Sequence, residues 1–214
     1  MKQLLVLIGL FSFVCSFAQE QRHYEFDHKI IYTIEGQDTF EMWVQKTGQA
    51  IYVDGEILSP ALQMDLNGGI IDFSKGSMIL MMNVGDEQIT TEANLENLAE
   101  GNIEPAEGST SIVFDSRLDD EIILGQPTPT YKMVMMENGE LVDEHVVFSF
   151  DPSFNYDFDA VFNQLYYMGT GIKSSFEFPE GLIVKVSEED DVLIELTALE
   201  PNQKILDFEV QLIQ

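Results

Sequence analysis

The chain has 214 residues, of which 38 are acidic and 10 are basic, so its formal net charge is −28. Hydrophobic residues make up 45% and aromatic residues 11%, which is enough to form a packed core and excludes a wholly disordered chain. A field this negative repels phosphate backbones and anionic membrane surfaces, so it argues against nucleic acid as a partner. The length favours a single domain.

The first 18 residues have the pattern of a secretory signal peptide. Lys2 supplies the positive start, an apolar run follows over residues 4–14, and small residues stand at positions −3 and −1 of a cleavage site before Gln19. The run is shorter than the roughly 20 residues of a transmembrane helix, which favours a cleaved peptide over a membrane anchor. We expect an exported protein with a mature chain of residues 19–214, and we favour the periplasm over release outside the cell.

The single cysteine, Cys15, lies inside this predicted leader. Phe13 and Val14 precede it where a lipid-attachment signal has small residues, so lipidation is disfavoured. Cleavage leaves a mature chain without cysteine, which excludes disulfides, thiol catalysis and cysteine-bound metal. No later segment is apolar and long enough to span a bilayer, so we expect no transmembrane segment in the mature chain.

Alternation of apolar and polar residues with a period of two dominates the mature chain and predicts half-buried β-strands. Residues 24–34 and 39–46 both alternate and flank a turn at Gly36, so they predict a hairpin. Shorter apolar runs follow, separated by turns rich in Gly, Asp and Asn, at residues 50–53, 70–73 and 77–84. This spacing is typical of consecutive antiparallel strands.

A polar, acidic segment follows at about residues 87–120. We interpret it as an insert or lid within one domain, because neither flank looks complete without the other. A short helix is predicted within it at residues 92–100, ended by Gly101.

The strongest hairpin signal in the chain is Asn138-Gly139, because both residues tolerate the positive φ of a type I′ turn. It predicts strands at residues 131–137 and 140–150. Counting outward from the turn places Met135 opposite Val142 and Tyr131 opposite Val146. The same count places His145 opposite Lys132.

One convincing helix is predicted at residues 154–168, with an apolar stripe at helical spacing and a capping Asp157. Gly169 is predicted to end it. Further strands are predicted at residues 182–186, 192–199 and 206–212, for about ten strands and one or two helices in total. The fold class is therefore mainly β (α+β).

Catalytic motifs are absent from the sequence, and the three histidines are better explained by packing or surface pairing than by catalysis. The acidic runs at residues 115–121, 151–159 and 188–191 suit solvated turns better than calcium sites. Two methionine clusters, at residues 78–82 and 133–136, suit flexible core packing better than copper(I) binding. We expect no catalytic residue, metal or cofactor.

Several short segments carry a family resemblance: Tyr32-Thr33-Ile34, Met64-Asp65-Leu66, Ile71-Asp72-Phe73, Ile79-Leu80-Met81-Met82, Ile123-Leu124-Gly125 before Tyr131-Lys132, and Phe178-Pro179-Glu180-Gly181-Leu182. In this arrangement the chain resembles exported domains of unknown function related to the periplasmic lipoprotein-carrier (LolA/LolB-like) superfamily. The resemblance implies a strongly curved antiparallel sheet, or half-barrel, with one or two helices plugging its concave face. The lipoprotein carrier is associated with a basic residue that helps to hold its lid closed. The only arginines here, Arg22 and Arg117, lie near the terminus and in the polar segment, so the resemblance transfers no functional residue.

These observations together predict an exported, non-enzymatic protein with an apolar cavity between the sheet and the helix. The residues expected to line it are Phe26, Ile30, Phe40 and Met42 from the sheet and Phe158, Phe162 and Leu165 from the helix. A lipid or another apolar small molecule is the expected ligand. The alternatives are a solid core without a ligand, and a structural or interaction module of the cell envelope that binds a protein partner.

Overall fold

The computed structural model describes residues 19–36, 38–62, 65–85, 87–95, 107–188 and 191–212. The predicted signal peptide lies outside these described residues. The described chain is mainly β, and its elements are β1 (Gln19–Ile34), β2 (Asp38–Val44), β3 (Ala50–Asp54), α1 (Gly55–Leu62), β4 (Leu66–Asp72), β5 (Ser77–Val84), β6 (Glu87–Asn94), β7 (Ser109–Arg117), β8 (Glu121–Ile123), β9 (Gln126–Thr128), β10 (Thr130–Glu137), β11 (Glu140–Asp151), α2 (Asp159–Thr170), β12 (Lys173–Phe176), β13 (Leu182–Glu188) and β14 (Asp191–Leu212).

Twelve of the strands form one large sheet in the order β1-β2-β3-β4-β5-β6-β14-β13-β11-β10-β7-β12, and β8 and β9 form a separate hairpin. The sheet is strongly curved, because β14 pairs along its length with β1 while its last residues, Gln211 and Leu212, pair in parallel with β6. It is not closed into a barrel. The predicted mainly-β fold with a curved sheet and two short helices is confirmed.

The first and last strands make the longest pairing in the molecule. Antiparallel partners run from Gln19 opposite Gln211 to Ile34 opposite Ile194. The sequence predicted two separate strands at the carboxyl end, but β14 is one continuous strand of 22 residues. A β-bulge next to Pro201 accommodates the proline there, since a proline cannot donate to the ladder.

The core has two principal clusters, which use opposite faces of β3. Ile51 and Val53 belong to the main core, with Ile30, Tyr32, Val44, Ile123, Phe154, Tyr156, Phe158, Leu182, Val184 and Leu196. Ala50 and Tyr52 belong to the second core, with Tyr24, Phe26, Ile70, Ile79, Met81 and Val210. Both faces of β3 are therefore buried, which explains its unbroken apolar sequence.

The Asn138-Gly139 hairpin forms as predicted, with φ of 52° and 80° at its two turn residues. The predicted register is wrong beyond the first pairs, because a bulge interrupts the ladder between Leu141 and His145. Tyr131 lies opposite Phe148, not Val146, and His145 lies opposite Val134, not Lys132. A bulge of this kind shifts the pairing partner of every residue beyond it, and the alternation of apolar and polar residues does not predict it.

The predicted helix at residues 154–168 is real but begins and ends later. It starts at Asp159, because the preceding residues are irregular backbone whose Phe154, Tyr156 and Phe158 rings are buried in the main core. It continues through the predicted stop at Gly169 and ends at Thr170. The next residue, Gly171, has a φ of 71°, the left-handed conformation that glycine adopts readily. The backbone N–H of Gly171 caps the helix by donating to the Tyr167 carbonyl.

The acidic segment of about residues 87–120 contributes two strands, β6 and β7, to the large sheet. The predicted helix at residues 92–100 is wrong at its start, because Glu92 lies in β6; residues 96–100 lie outside the described residues. Glu92 is buried there, and its carboxylate accepts hydrogen bonds from Arg22 Nε at 3.0 Å and Ser77 Oγ at 2.8 Å. These partners offset the cost of burying the charge within the sheet.

Tyr156 links the irregular segment before α2 to the turn between β2 and β3. Its buried hydroxyl donates to the Ala50 carbonyl at 2.8 Å and accepts from the Gln45 N–H at 3.0 Å. We predict that Tyr156→Phe lowers the free energy of unfolding by about 1–3 kcal/mol, because two backbone groups lose a partner. Urea denaturation measures this change.

Tyr131→Phe is the matched control, because the Tyr131 hydroxyl has no hydrogen bond to any described residue. Its effect should stay within about 0.5 kcal/mol. Equal losses in the two variants would show that the Tyr156 hydroxyl does not join these segments.

Candidate functional site

A cavity of about 400 Å³ lies between α2 and the curved sheet. Strands β1, β2, β3, β4, β11, β13 and β14 contribute to its wall, as do the turn after β4 and the first turns of α2. The lining residues are all apolar or aromatic: Tyr32, Phe40, Met42, Ile51, Ile71, Phe73, Phe148, Phe158, Val161, Phe162, Leu182, Ile183, Val186 and Ile194. A cavity of this volume is within the range of small-molecule sites.

Four of the seven residues predicted for such a site line this cavity: Phe40, Met42, Phe158 and Phe162. Ile30 is fully buried in the main core beside it and does not form part of the wall. Leu165 lies in α2, but its side chain is outside the described part of the structure.

Phe26 lies in the second core, on the other side of β3 from the cavity. Phe26 and Ile30 lie on the same face of β1, as alternation predicts, and both are fully buried. They belong to different clusters because β1 pairs with β2 only from His28 onward. Phe26 lies before that pairing, where its ring contacts Tyr52 on the other face of β3.

Sequence reasoning missed most of the wall contributed by the second half of the chain. Phe148, Ile183, Val186 and Ile194 come from three strands whose positions relative to β1 depend on long-range pairing. Each lies in a segment predicted as a strand, so its burial was predictable but its neighbours were not. Tyr32 was predictable from the period-two pattern of β1 alone.

Aromatic rings in edge and stacked contact form much of the cavity wall. The Phe158 ring lies 5.4 Å from that of Phe73 and 5.5 Å from that of Phe162, and Phe162 is 5.3 Å from Phe178. On the sheet side, Tyr32 stacks on Phe40 with 5.1 Å between the ring centroids. Contacts of this kind stabilise the positions of the rings, so the wall is held in shape without a ligand.

Among the described lining side chains, only that of Tyr32 carries a hydroxyl group. It donates a hydrogen bond to the Ile183 carbonyl at 2.5 Å, and burial raises its pKa above the usual value. The hydroxyl therefore neither ionises near neutral pH nor has a free proton to donate into the cavity. The lining offers hydrocarbon surface alone to a bound molecule.

Two polar side chains of α2 fasten the helix to the strand that follows it. Asn163 Oδ1 accepts from the Phe176 N–H at 2.8 Å, and its Nδ2 donates to the Asp159 carbonyl at 2.8 Å. Asp159 Oδ1 accepts from the Phe178 N–H at 2.6 Å. These bonds fix the side of the cavity that Phe158 and Phe162 form.

A second, polar cavity of about 320 Å³ lies at the amino-terminal end of β1. Its wall includes the buried Asp72, whose carboxylate accepts from Tyr24 Oη and Ser74 Oγ at 2.6 Å each. Arg22, also in the wall, pairs with Glu92. These charged groups have hydrogen-bond partners within the protein, so we interpret the cluster as a network that stabilises this end of the sheet.

The histidines show no catalytic arrangement among the described residues. His23 is exposed and pairs with Asp207 and Glu25, and His28 contacts Asp27 and the edge of the Phe154 ring. His145 Nδ1 is buried without a hydrogen-bond partner among the described residues. The described chain also contains no group of three His, Cys, Asp or Glu side chains placed to hold a metal.

Two of the six clustered methionines lie in buried apolar packing, and the other four are half-buried. Met81 is buried in the second core, and Met133 is fully buried beside Phe148 and Phe150. Their surroundings are aliphatic and aromatic, as expected of flexible core residues.

No protein-family model matches the chain, and no curated protein sequence matches it. The resemblance to the lipoprotein-carrier superfamily therefore stays a prediction. Within the described residues, neither helix has the length and apolar composition needed to cross a membrane.

Asp159 gives the fastening of α2 a dependence on pH. Burial raises its pKa, as do Asp157 and Glu177, while the Phe178 N–H acts in the opposite direction. Because the folded chain holds this proton more tightly than the unfolded chain, the stability it contributes is present at low pH and is lost as the pH rises through the folded-state pKa.

Asp159→Asn keeps an Oδ1 acceptor for Phe178 and removes the charge. We predict that the melting temperature of the variant, relative to the natural chain, is higher at about pH 7 than at about pH 4. Thermal denaturation at both pH values tests this. A difference that is constant, or that falls as the pH rises, would contradict the assignment.

Proposed function

We propose that this chain is an exported, non-enzymatic binding protein whose 400 Å³ cavity holds a lipid acyl chain or another apolar molecule. The observation that carries the proposal is the completely apolar lining, whose one hydroxyl is already bonded to the Ile183 carbonyl. Water inside a cavity lined in this way finds few hydrogen-bond partners. The cavity therefore favours hydrocarbon, because burying apolar surface is favourable.

The chemistry of the wall supports binding rather than catalysis. Tyr32 is the only one of the described lining side chains that titrates, and its raised pKa removes it as an acid or base near neutral pH. General acid–base catalysis needs a group whose pKa lies near the working pH, and nucleophilic catalysis needs an activated side chain. The lining side chains supply neither.

The leader pattern and the family resemblance also support the proposal. The chain begins with a predicted signal peptide, and its curved sheet with a helix over the cavity matches the architecture that the resemblance implies. An exported protein with an apolar cavity suits the transfer or storage of molecules that water does not dissolve.

Binding is tested with the fluorescent apolar dye Nile red. Ile194 lines the cavity from β14, so Ile194→Trp is expected to fill part of the space and to weaken dye affinity by about tenfold or more. Ile205→Trp, on the same strand at an exposed position, is the control and should bind the dye as the natural chain does.

Urea denaturation of both tryptophan variants checks that each still folds, since overpacking costs about 1–3 kcal/mol. Equal dye affinity in the folded Ile194→Trp variant and the natural chain would place the dye elsewhere. No dye binding by the natural chain would contradict the binding proposal itself.

Export is tested by expressing the full chain in a bacterium and measuring the intact mass of the exported protein. The expected mass is that of residues 19–214, because cleavage before Gln19 removes the predicted leader. A protein that stays in the cytoplasm with residues 1–18 attached would contradict export.

A further inference from the structure

The β8–β9 hairpin presents two large apolar side chains to solvent at its tip. Ile122 is 70% exposed and Leu124 is 46% exposed. Leu124 and Gly125 form the two-residue turn, with φ of 49° and 76°. Positive φ at both positions is the requirement of a type I′ turn.

Leucine is an unusual residue for that turn position. Asn138 occupies the corresponding place in the β10–β11 hairpin, where its φ is 52°. Asparagine tolerates positive φ far better than leucine, because its short polar side chain can form local hydrogen bonds and the branched leucine side chain cannot. Leu124 thus combines an unfavourable backbone conformation with exposed apolar surface, two costs that burial against another molecule would offset.

The hairpin is held rigidly on the body of the protein. Ile123 is 6% exposed and belongs to the main core, so the strand alternates between a buried anchor and the exposed Ile122. At its base, Lys185 Nζ lies 2.6 Å from Glu121 Oε2. The apolar tip is therefore pre-ordered, which lowers the entropy cost of binding.

A third cavity, of about 390 Å³, opens beside the hairpin and is distinct from the one between α2 and the sheet. Leu124 and Pro127 from the hairpin line it together with Val184, Leu196 and Leu199. Asp151 also lines it.

Acidic side chains accompany this apolar surface. Asp119, Asp120 and Glu121 directly precede Ile122, and Asp120 pairs with Arg117 at 2.9 Å. Asp119 and Asp151 have no cationic partner among the described residues. Negative charge without a cationic partner among the described residues is therefore found at the base of the hairpin, in Asp119, and in the cavity wall, in Asp151.

We propose that the hairpin tip and this cavity form a docking site for a protein partner that presents an aliphatic side chain flanked by basic residues. The apolar surface of Ile122 and Leu124 matches the aliphatic part, and the unpaired Asp119 and Asp151 match the basic flanks. A second copy of this chain is disfavoured as the occupant, because each copy carries a net charge of −28. An anionic membrane surface is disfavoured for the same reason.

The test uses a fluorescein-labelled synthetic peptide with one leucine flanked on both sides by lysines. Two matched peptides replace the leucine by serine or the lysines by glutamates. The natural chain should bind only the first peptide, and raising the salt concentration should weaken that binding.

Leu124→Asn places the favoured residue in the turn and removes the apolar contact, so it should fold and lose about tenfold or more in peptide affinity. Leu141→Asn is the control, because Leu141 is also exposed but lies on the other hairpin. It should change the affinity by less than about twofold.

Each of the following results would overturn the docking site. Equal binding of the serine and leucine peptides, or equal affinity in the Leu124→Asn variant, would reduce the interaction to non-specific charge attraction. Failure of all peptides to bind would remove the proposed partner chemistry. Leu124-dependent flotation with phosphatidylcholine vesicles, or Leu124-dependent dimerisation in sedimentation, would assign the tip to a membrane or to a second copy instead.

Discussion

The pairing of the first strand with the last is the constraint on which the rest of the structure depends. It joins residues that lie 160 to 192 positions apart in sequence, from Ile34 and Ile194 to Gln19 and Gln211. Strands β2 to β6 follow β1 in the sheet, and β13, β11, β10, β7 and β12 follow β14. The pairing of β1 with β14 therefore positions both parts of the sheet. Because contacts between residues this distant carry a large entropic cost of loop closure, we expect the β1–β14 pairing to form late and the chain to fold slowly.

Curvature around this ribbon creates the concave side that α2 and the preceding aromatic segment cover. The helix alone cannot fill that space, and the rings of Phe158, Phe162 and Phe73 contact one another around a cavity instead of closing it. Polar groups nearby are bonded within the protein: Tyr32 to the Ile183 carbonyl, and Tyr156 to Ala50 and Gln45. An apolar space enclosed by satisfied polar groups is the physical basis of the binding proposal.

Much of this arrangement follows from local sequence. Period-two alternation identifies the strands, and Asn138-Gly139 identifies a hairpin, because both signals depend on neighbouring residues only. Phe40, Met42, Phe158 and Phe162 were predicted as cavity residues from their faces alone. Bulges are not visible in such patterns, and the one beyond Leu141 moved Tyr131 opposite Phe148. Alternation also does not show that β1 extends past the end of β2, where Phe26 enters the second core. The strand order that brings Phe148 and Ile194 to the cavity depends on long-range pairing, which no local signal encodes.

The most direct test of the cavity's role is native mass spectrometry of the mature protein, purified gently from its own cells and followed by organic extraction. If the cavity holds an apolar molecule, the protein carries a discrete adduct that organic solvent removes and that is the size of a lipid or smaller. A single mass equal to that of the bare chain, from protein that was never exposed to detergent or solvent, would contradict a binding role. It would favour a protein whose cavity stays empty and that acts through its surface.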